Sequence, residues 1–187
     1  MPCTKTHQKN DMILIDQKAP DFSNVPCYQK GKEDFGLCRL SEFKDTWLVL
    51  FFYPRDFTFI CPTEIKGFET HQAEFSAMDA KVLAASTDST WCHKAWFERD
   101  LPMVTYPILS DANLKMSRDY QVLNEETGEA QRGLFIIDPE GIVKYALVSA
   151  GSVGRSVKEV LRVLKALQSG ELCPVEWEPG EMTLGKA

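Results

Sequence analysis

The chain has 187 residues, of which 44% are hydrophobic, enough for one domain with a sizeable core. Its formal net charge is -6 and its acidic and basic residues are interspersed, so no basic block favours nucleic acid or an anionic membrane. The longest apolar run, residues 47–53, is too short to span a bilayer, and the polar N-terminus lacks a signal-type apolar stretch. We therefore predict a cytoplasmic protein that binds neither nucleic acid nor membrane.

Strands and helices are predicted to alternate after a polar first part, in which we expect irregular structure with short strands. The run at 47–53 has the length and character of a strand buried on both faces. Apolar residues at helical spacing then predict a helix over about 61–76, and 81–86 resembles a second strand. Residues 88–90 offer N-caps for a helix that continues to Phe97.

The alternation continues to the end of the chain. The next predicted elements are a strand at 106–110, a helix from Asp111 to Tyr120, a strand at 134–137, a type I turn at 138–141 and a return strand at 142–148. The last helix begins at a capping box of Ser156 with Glu159 and ends at Gly170. This order predicts an α/β sandwich with a mixed central sheet, formed by one domain over 1–170 and followed by a polar tail over 171–187.

Six cysteines are spread along the sequence: Cys3, Cys27, Cys38, Cys61, Cys92 and Cys173. No two of them form a C-x-x-C pair, so a structural zinc site and a thioredoxin-type redox pair both lack their usual signature. The three histidines are too scattered for a metal site, and we predict neither a metal nor a cofactor. In a reducing compartment the thiols should be free, and any disulfide should be transient and catalytic.

Cys61 lies between the buried strand and the helix that follows it. At a helix start, free backbone N–H groups and the helix dipole favour a thiolate, and Pro62 is tolerated only in such a first turn. The alternative is a small buried hydrophobic residue, which this segment alone does not exclude. Even complete ionisation of an ordinary thiol gains only about thirty-fold at pH 7, so a fast reaction also needs groups that stabilise charge on a leaving oxygen.

Pro54, Thr58 and Cys61 match the P-x-x-x-T-x-x-C motif of the peroxiredoxins. The wider string Phe57–Glu64 resembles its form in the typical two-cysteine group, which includes the peroxidase component of bacterial alkyl hydroperoxide reductase. Further segments resemble family motifs in the same order, namely Ala19–Phe22, Ser89–Trp96, Arg132–Asp138 and Gly170–Pro174. The resemblance covers most of the chain and implies a thioredoxin-like fold with peroxiredoxin additions.

This resemblance also implies roles for individual residues. Cys61 would be the nucleophile that a peroxide oxidises to a sulfenic acid. Arg132 would bind the thiolate and the peroxide through its fork of donors, and the Thr58 hydroxyl would accept from the peroxide and donate to the sulfur. Pro54 would cover the pocket, and Glu64 would hold Arg132 in place through an ion pair.

Cys173 resembles the family's resolving cysteine, which implies a disulfide with Cys61 of the partner subunit in an antiparallel homodimer. The resemblance further implies a decamer of five dimers, hydrogen peroxide and organic hydroperoxides as substrates, and thioredoxin or a flavoprotein disulfide reductase as electron donor. Two alternative functions are considered for this chain. One is a thioredoxin-type oxidoreductase, which would need C-x-x-C where this chain has Cys61–Glu64. The other is a holdase-like assembly protein.

Overall fold

The structure is a computed structural model that describes residues 15–31 and 34–186. Cys3 and the rest of the polar N-terminus lie outside these ranges. Within the described ranges no helix is long and apolar enough to cross a membrane.

The described ranges contain nine strands: β1 (Val25–Gln29), β2 (Asp34–Cys38), β3 (Trp47–Phe52), β4 (Ala80–Ser86), β5 (Ile108–Ser110), β6 (Leu123–Asn124), β7 (Glu129–Ala130), β8 (Arg132–Ile137) and β9 (Val143–Ser149). Seven of them form a mixed sheet in the order β2-β1-β5-β4-β3-β8-β9, while β6 and β7 pair as a separate hairpin. The pairs β3–β4 and β4–β5 are parallel and the other pairs in the large sheet are antiparallel. The predicted mixed central sheet is therefore confirmed.

In the part of the chain that the structure describes, five α-helices accompany the sheet: α1 (Cys61–Thr70), α2 (Gln72–Ala77), α3 (Thr90–Asp100), α4 (Lys115–Asp119) and α5 (Val157–Ser169), with a short 3-10 helix at Leu40–Phe43. The side chains of β3 alternate between two apolar clusters, so this strand is buried on both faces, as its continuous apolar sequence predicts. One cluster contains residues from α1, α2, α3 and α5, and the other contains Met116 of α4 and Phe22. The result is a sheet sandwiched between two layers.

The predicted single helix over 61–76 is wrong, because the chain leaves helical geometry at His71 between α1 and α2. His71 has φ -104° and ψ 12°, and its backbone N–H donates to Phe68 rather than continuing the helical ladder. The break still leaves Phe68 and Phe75 fully buried in the same cluster. The apolar spacing predicted which residues are buried, but it did not reveal the change in backbone direction.

The last helix follows its sequence signals closely. The Ser156 side chain accepts a hydrogen bond from the Glu159 backbone N–H at 3.3 Å, and Gly170 ends the helix with φ 63°. The Glu159 carboxylate pairs with Arg162 instead of returning to the cap, so the predicted capping box is only half formed. The predicted turn at 138–141 is also present, since Gly141 donates to the Asp138 carbonyl at 2.8 Å.

Gly133 in β8 is a position where the fold requires glycine. A Cβ there would lie 2.4 Å from the Val122 side chain, which is itself fully buried. We expect Gly133→Ala to lower the free energy of unfolding by about 1–3 kcal/mol through overpacking, as measured by urea denaturation. Gly151→Ala is the matched control, because a Cβ at that position meets open space, and an equal loss in both variants would contradict the role of packing at Gly133.

Candidate active site

Cys61 is the first residue of α1, and its side chain is only 1% exposed. It follows the loop that leaves β3, with Pro62 in the first helical turn. The predicted location in a first turn is confirmed. The N–H groups of Thr63 and Glu64 donate to the Ile60 carbonyl, so the helix dipole, rather than free N–H groups, favours negative charge near the cysteine.

Arg132 begins β8 and extends its side chain to Cys61. The approach follows from the sheet, because β8 pairs directly with β3, the strand that leads into the cysteine loop. Nη1 of Arg132 lies 3.5 Å from the Cys61 sulfur and 2.5 Å from Oε2 of Glu64. Nε of Arg132 donates to the Gly151 carbonyl at 2.9 Å. The guanidinium is buried and held on two sides, with one N–H group directed at the sulfur.

Glu64 binds a second arginine that the sequence did not single out. Arg155 donates to Oε1 of Glu64 through its backbone N–H at 2.8 Å and its Nε at 2.7 Å, and its Nη2 lies 3.0 Å from Oε2. Nη1 of Arg155 donates to the Gly133 carbonyl at 2.6 Å, and the guanidinium lies over the Phe51 ring. Nothing in the sequence around Arg155 marks it as buried, and only the fold reveals its contact with Glu64.

The ionisation of Glu64 reflects these partners. Burial raises the pKa of the Glu64 carboxyl, but the hydrogen bonds and charge of Arg155, with the charge of Arg132, outweigh burial and hold that pKa below its usual value. The group thus contains two guanidinium charges against one carboxylate. Its excess positive charge lies beside Cys61 and stabilises negative charge on the sulfur.

The structure brings Thr58 and Pro54 into the same loop as Cys61, but the hydrogen bonding of Thr58 differs from expectation. Its hydroxyl donates to the Arg55 carbonyl at 2.9 Å, so its proton is directed away from the sulfur. The hydroxyl oxygen keeps its lone pairs and can still accept from a peroxide. Pro54 is half-buried at the end of β3, beside a cavity that also includes Gly151.

Asp56 anchors this loop to the protein interior. It is buried, and its carboxylate accepts from the Tyr53 hydroxyl at 2.7 Å and lies 2.7 Å from Nδ1 of His93. Its backbone N–H donates to Asp88 at 2.8 Å. The structure thus gives His93 a buried carboxylate partner that helps to hold the loop.

Asp56, Asp88 and Cys92 place potential metal ligands within 4.8 Å of one another. Both oxygens of Asp56, however, already have protein partners.

Two other cysteines lie in environments that oppose ionisation. Burial, together with Cys27 and Glu42, raises the pKa of Cys38 to about 12. Burial and the carboxylates of Asp56 and Asp88 raise the pKa of Cys92 to about 12. Both therefore remain thiols at neutral pH and are poor nucleophiles. Cys61 differs from both in having an arginine donor 3.5 Å from its sulfur.

Cys173 is not brought to Cys61 within the chain. Its sulfur lies near Ser169 and the carbonyl of Ala166, at the far end of α5. That helix starts beside Gly67 of α1, and its last turn contacts Met78, so it runs away from Cys61 for about 20 Å. A disulfide requires Cα atoms within about 7 Å, so these two cysteines of one chain are too far apart to pair.

Comparisons with known proteins give a consistent result. The AhpC/TSA family matches residues 15–146. The chain is 46% identical over 178 residues to the putative peroxiredoxin YkuU of Bacillus subtilis (strain 168), covering 91% of this chain and 98% of that protein. It is 44% identical over 176 residues to a putative peroxiredoxin in the rubredoxin operon of Clostridium pasteurianum, again covering 91% and 98%.

Solved structures agree with these sequence matches. The fold superimposes on the reduced 2-Cys peroxiredoxin of Plasmodium vivax with a TM-score of 0.85 and 33% identity, covering 90% of this chain and 91% of that one. It superimposes on AhpC of Enterococcus faecalis with a TM-score of 0.81 and 35% identity, covering 87% of this chain and all of that one (100%).

The Glu64 ion pairs predict a specific pH dependence of stability. Because the folded-state pKa of this carboxyl is lowered, its contribution is complete above about pH 4.3, the usual value in an unfolded chain, and is lost as pH falls through the lower folded pKa. We expect Glu64→Gln to be less stable at pH 7 and to lose less stability than the parent chain between about pH 5 and pH 2. Denaturant unfolding at each pH measures both effects. The exposed Glu140→Gln should keep the parent slope, and a parent slope in Glu64→Gln would refute the assignment.

Proposed function

Since this chain belongs to the AhpC/TSA family and is a thiol-dependent peroxidase, we propose that Cys61 is the cysteine that peroxide oxidises. The observation that supports this most directly is the Arg132 donor 3.5 Å from its sulfur in a buried site. Cys38 and Cys92, by contrast, have a raised pKa and remain thiols at neutral pH.

The proposed first step is a displacement at oxygen. The Cys61 thiolate attacks the terminal peroxide oxygen, an S–O bond forms, and the O–O bond breaks with its electron pair on the leaving oxygen. That oxygen leaves as alkoxide or hydroxide and is protonated to an alcohol or water. The sulfur is oxidised to a sulfenic acid and the peroxide is reduced by two electrons.

Arg132 is proposed to act on the charge that moves during this step. Its Nη1 lies close enough to the sulfur to stabilise the thiolate, and the planar guanidinium presents further donors to the peroxide oxygens. Because Gly151 and Glu64 already fix the guanidinium, little reorganisation is needed as charge shifts to the leaving oxygen. Glu64 and Arg155 are proposed as positioning residues for this guanidinium.

Thr58 and Pro54 are proposed to organise the peroxide. Because the Thr58 hydroxyl donates to the Arg55 carbonyl, its oxygen can accept a hydrogen bond from the O–H of the incoming hydroperoxide and so orient it. Donation from Thr58 to the sulfur would require its hydroxyl to rotate away from Arg55. Pro54 limits the access of water to this side of the loop.

Cys173, in the tail over 171–187, is proposed to resolve the sulfenic acid of a second subunit. Its thiol attacks the Cys61 sulfur, the disulfide forms, and the sulfenic oxygen leaves as water. The long separation of the two cysteines within one chain supports pairing between chains. Cys61 is almost fully buried, so its loop has to open before the disulfide can form.

A homodimer would place the two cysteines together, and the sheet offers a surface for it. β9 is an edge strand of the large sheet, and Val148 at its end is 50% exposed. An edge strand presents unpaired backbone groups that a second copy can bind in antiparallel register. The proposal also includes a decamer of five such dimers and a cytoplasmic location. The proposed electron donor is thioredoxin or a flavoprotein disulfide reductase. Coupled assays with each reductase distinguish the two donors.

The guanidinium fork of Arg132 is expected to matter beyond its charge. Arg132→Lys keeps the charge but loses the fork, and we expect the second-order rate constant of Cys61 oxidation to fall roughly 100-fold or more. Stopped-flow fluorescence on the pre-reduced protein with hydrogen peroxide measures it without any reductase. Arg118→Lys, at an exposed arginine paired with Glu125, is the matched control. A rate within a factor of two of the parent would contradict the role of Arg132.

The resolving reaction is expected to leave a covalent dimer. After one equivalent of peroxide, the parent chain should run as a dimer on non-reducing gels, while Cys61→Ser and Cys173→Ser should remain monomeric. Cys173→Ser should still form the sulfenic acid, detectable by a dimedone adduct at Cys61, because only the second step is blocked. Cys92→Ser should behave as the parent. An efficient dimer in Cys173→Ser would exclude Cys173 as the resolving residue.

A further inference from the structure

A cavity of about 360 Å³ lies next to the site, and apart from Pro54 and Gly151 its wall has no part in the proposed displacement or resolving steps. It is bounded by Pro54 at the end of β3, by the β6–β7 hairpin and by residues 148–151 that follow from β9. Its volume is at the lower end of the range for small-molecule sites. It is therefore large enough for a small organic group.

The cavity lies close to the reacting sulfur, with the Arg132 guanidinium between them. Gly151 forms part of its wall, and the carbonyl of that residue accepts from Nε of Arg132 at 2.9 Å. The same guanidinium reaches the Cys61 sulfur at 3.5 Å through Nη1. Since a guanidinium is small and planar, this wall lies within about 9 Å of the sulfur. This distance is short enough for the organic part of a peroxide bound at the sulfur to reach the cavity past Arg132.

The cavity wall offers hydrogen-bond donors. The Asn124 side-chain oxygen accepts from the backbone N–H groups of Glu126 and Thr127, which directs its NH₂ group to other partners. The Thr127 hydroxyl oxygen accepts from the Glu129 N–H, so its proton is available to a ligand. The side chain of Gln131 adds a second amide to the wall.

Negative charge in this wall is compensated. The Glu129 carboxylate forms an ion pair with Arg55, in the loop between Pro54 and Cys61. A ligand in the cavity therefore meets donors without a bare carboxylate. An apolar group placed there would leave these donors without a partner, which costs free energy, whereas an acceptor-bearing group would bind them.

We propose that this cavity is a subsite for the organic part of the substrate, and that it favours small hydroperoxides that carry hydrogen-bond acceptors, such as those formed on amino acids. The inference rests on the proposed peroxidase role of Cys61. It adds a substrate preference that the reaction at the sulfur does not determine, because that reaction involves only the peroxide oxygens.

The test compares the rate constants of pre-reduced protein with three oxidants in stopped flow. Leucine hydroperoxide and cumene hydroperoxide are similar in size but differ in acceptor groups, and hydrogen peroxide has no organic part. We expect the parent chain to react at least about fivefold faster with leucine hydroperoxide than with cumene hydroperoxide, the effect of about one hydrogen bond.

Two variants examine the cavity itself. Thr127→Trp places a large ring in it, and we expect the ratio of the leucine hydroperoxide rate to the hydrogen peroxide rate to fall at least about fivefold. Gln131→Leu removes an amide with little change in size, and we expect a smaller fall in the same ratio. Glu126→Trp is the matched control on the same hairpin, outside the cavity wall, and should leave the ratio unchanged.

An unchanged ratio in both cavity variants, or an equal change in Glu126→Trp, would overturn the subsite while leaving the peroxidase intact. A parent chain that prefers cumene hydroperoxide would also overturn it. A parent chain that fails to react with hydrogen peroxide would instead overturn the proposed role of Cys61. The two failures are therefore distinguishable in one experiment.

Discussion

The carboxylate of Glu64, held between two buried arginines, is the interaction on which the site depends. Removing the Glu64 carboxylate would leave two buried guanidinium charges without compensation, a loss of several kcal/mol in typical proteins. The arrangement joins three separate parts of the chain, since Glu64 belongs to α1, Arg132 begins β8 and Arg155 precedes α5. The same contacts that fix the end of the sheet to two helices also direct one guanidinium at the Cys61 sulfur.

The loop between β3 and α1 combines firm attachment with local strain. Asp56 ties it to Tyr53 and His93 in the interior, while Phe57 has a positive φ of 55°, a conformation that is unfavourable for a bulky residue. Such a loop keeps Cys61 buried beside Arg132, and in the proposed resolving step it would have to release the cysteine.

Much of the fold was predictable because its signals are local. The apolar run of β3 marks a strand that is buried on both faces, and the caps of α5 mark both ends of that helix. The prediction failed at His71, where one apolar pattern continues across a change in backbone direction. Periodicity reports which side chains face the core, and two short helices can bury the same residues as one long helix.

For the site, the sequence by itself determined the residue types and their order: a cysteine at a helix start, a threonine and a proline before it, an arginine at the start of a later strand and a second cysteine in the tail. Local chemistry and motif spacing are sufficient for that. Only the tertiary structure decided that Arg155 shares Glu64 with Arg132, that the Thr58 proton is directed to Arg55, and that Cys173 lies at the opposite end of α5 from Cys61. These facts depend on contacts between residues far apart in the chain, and a buried arginine has the same sequence appearance as an exposed one.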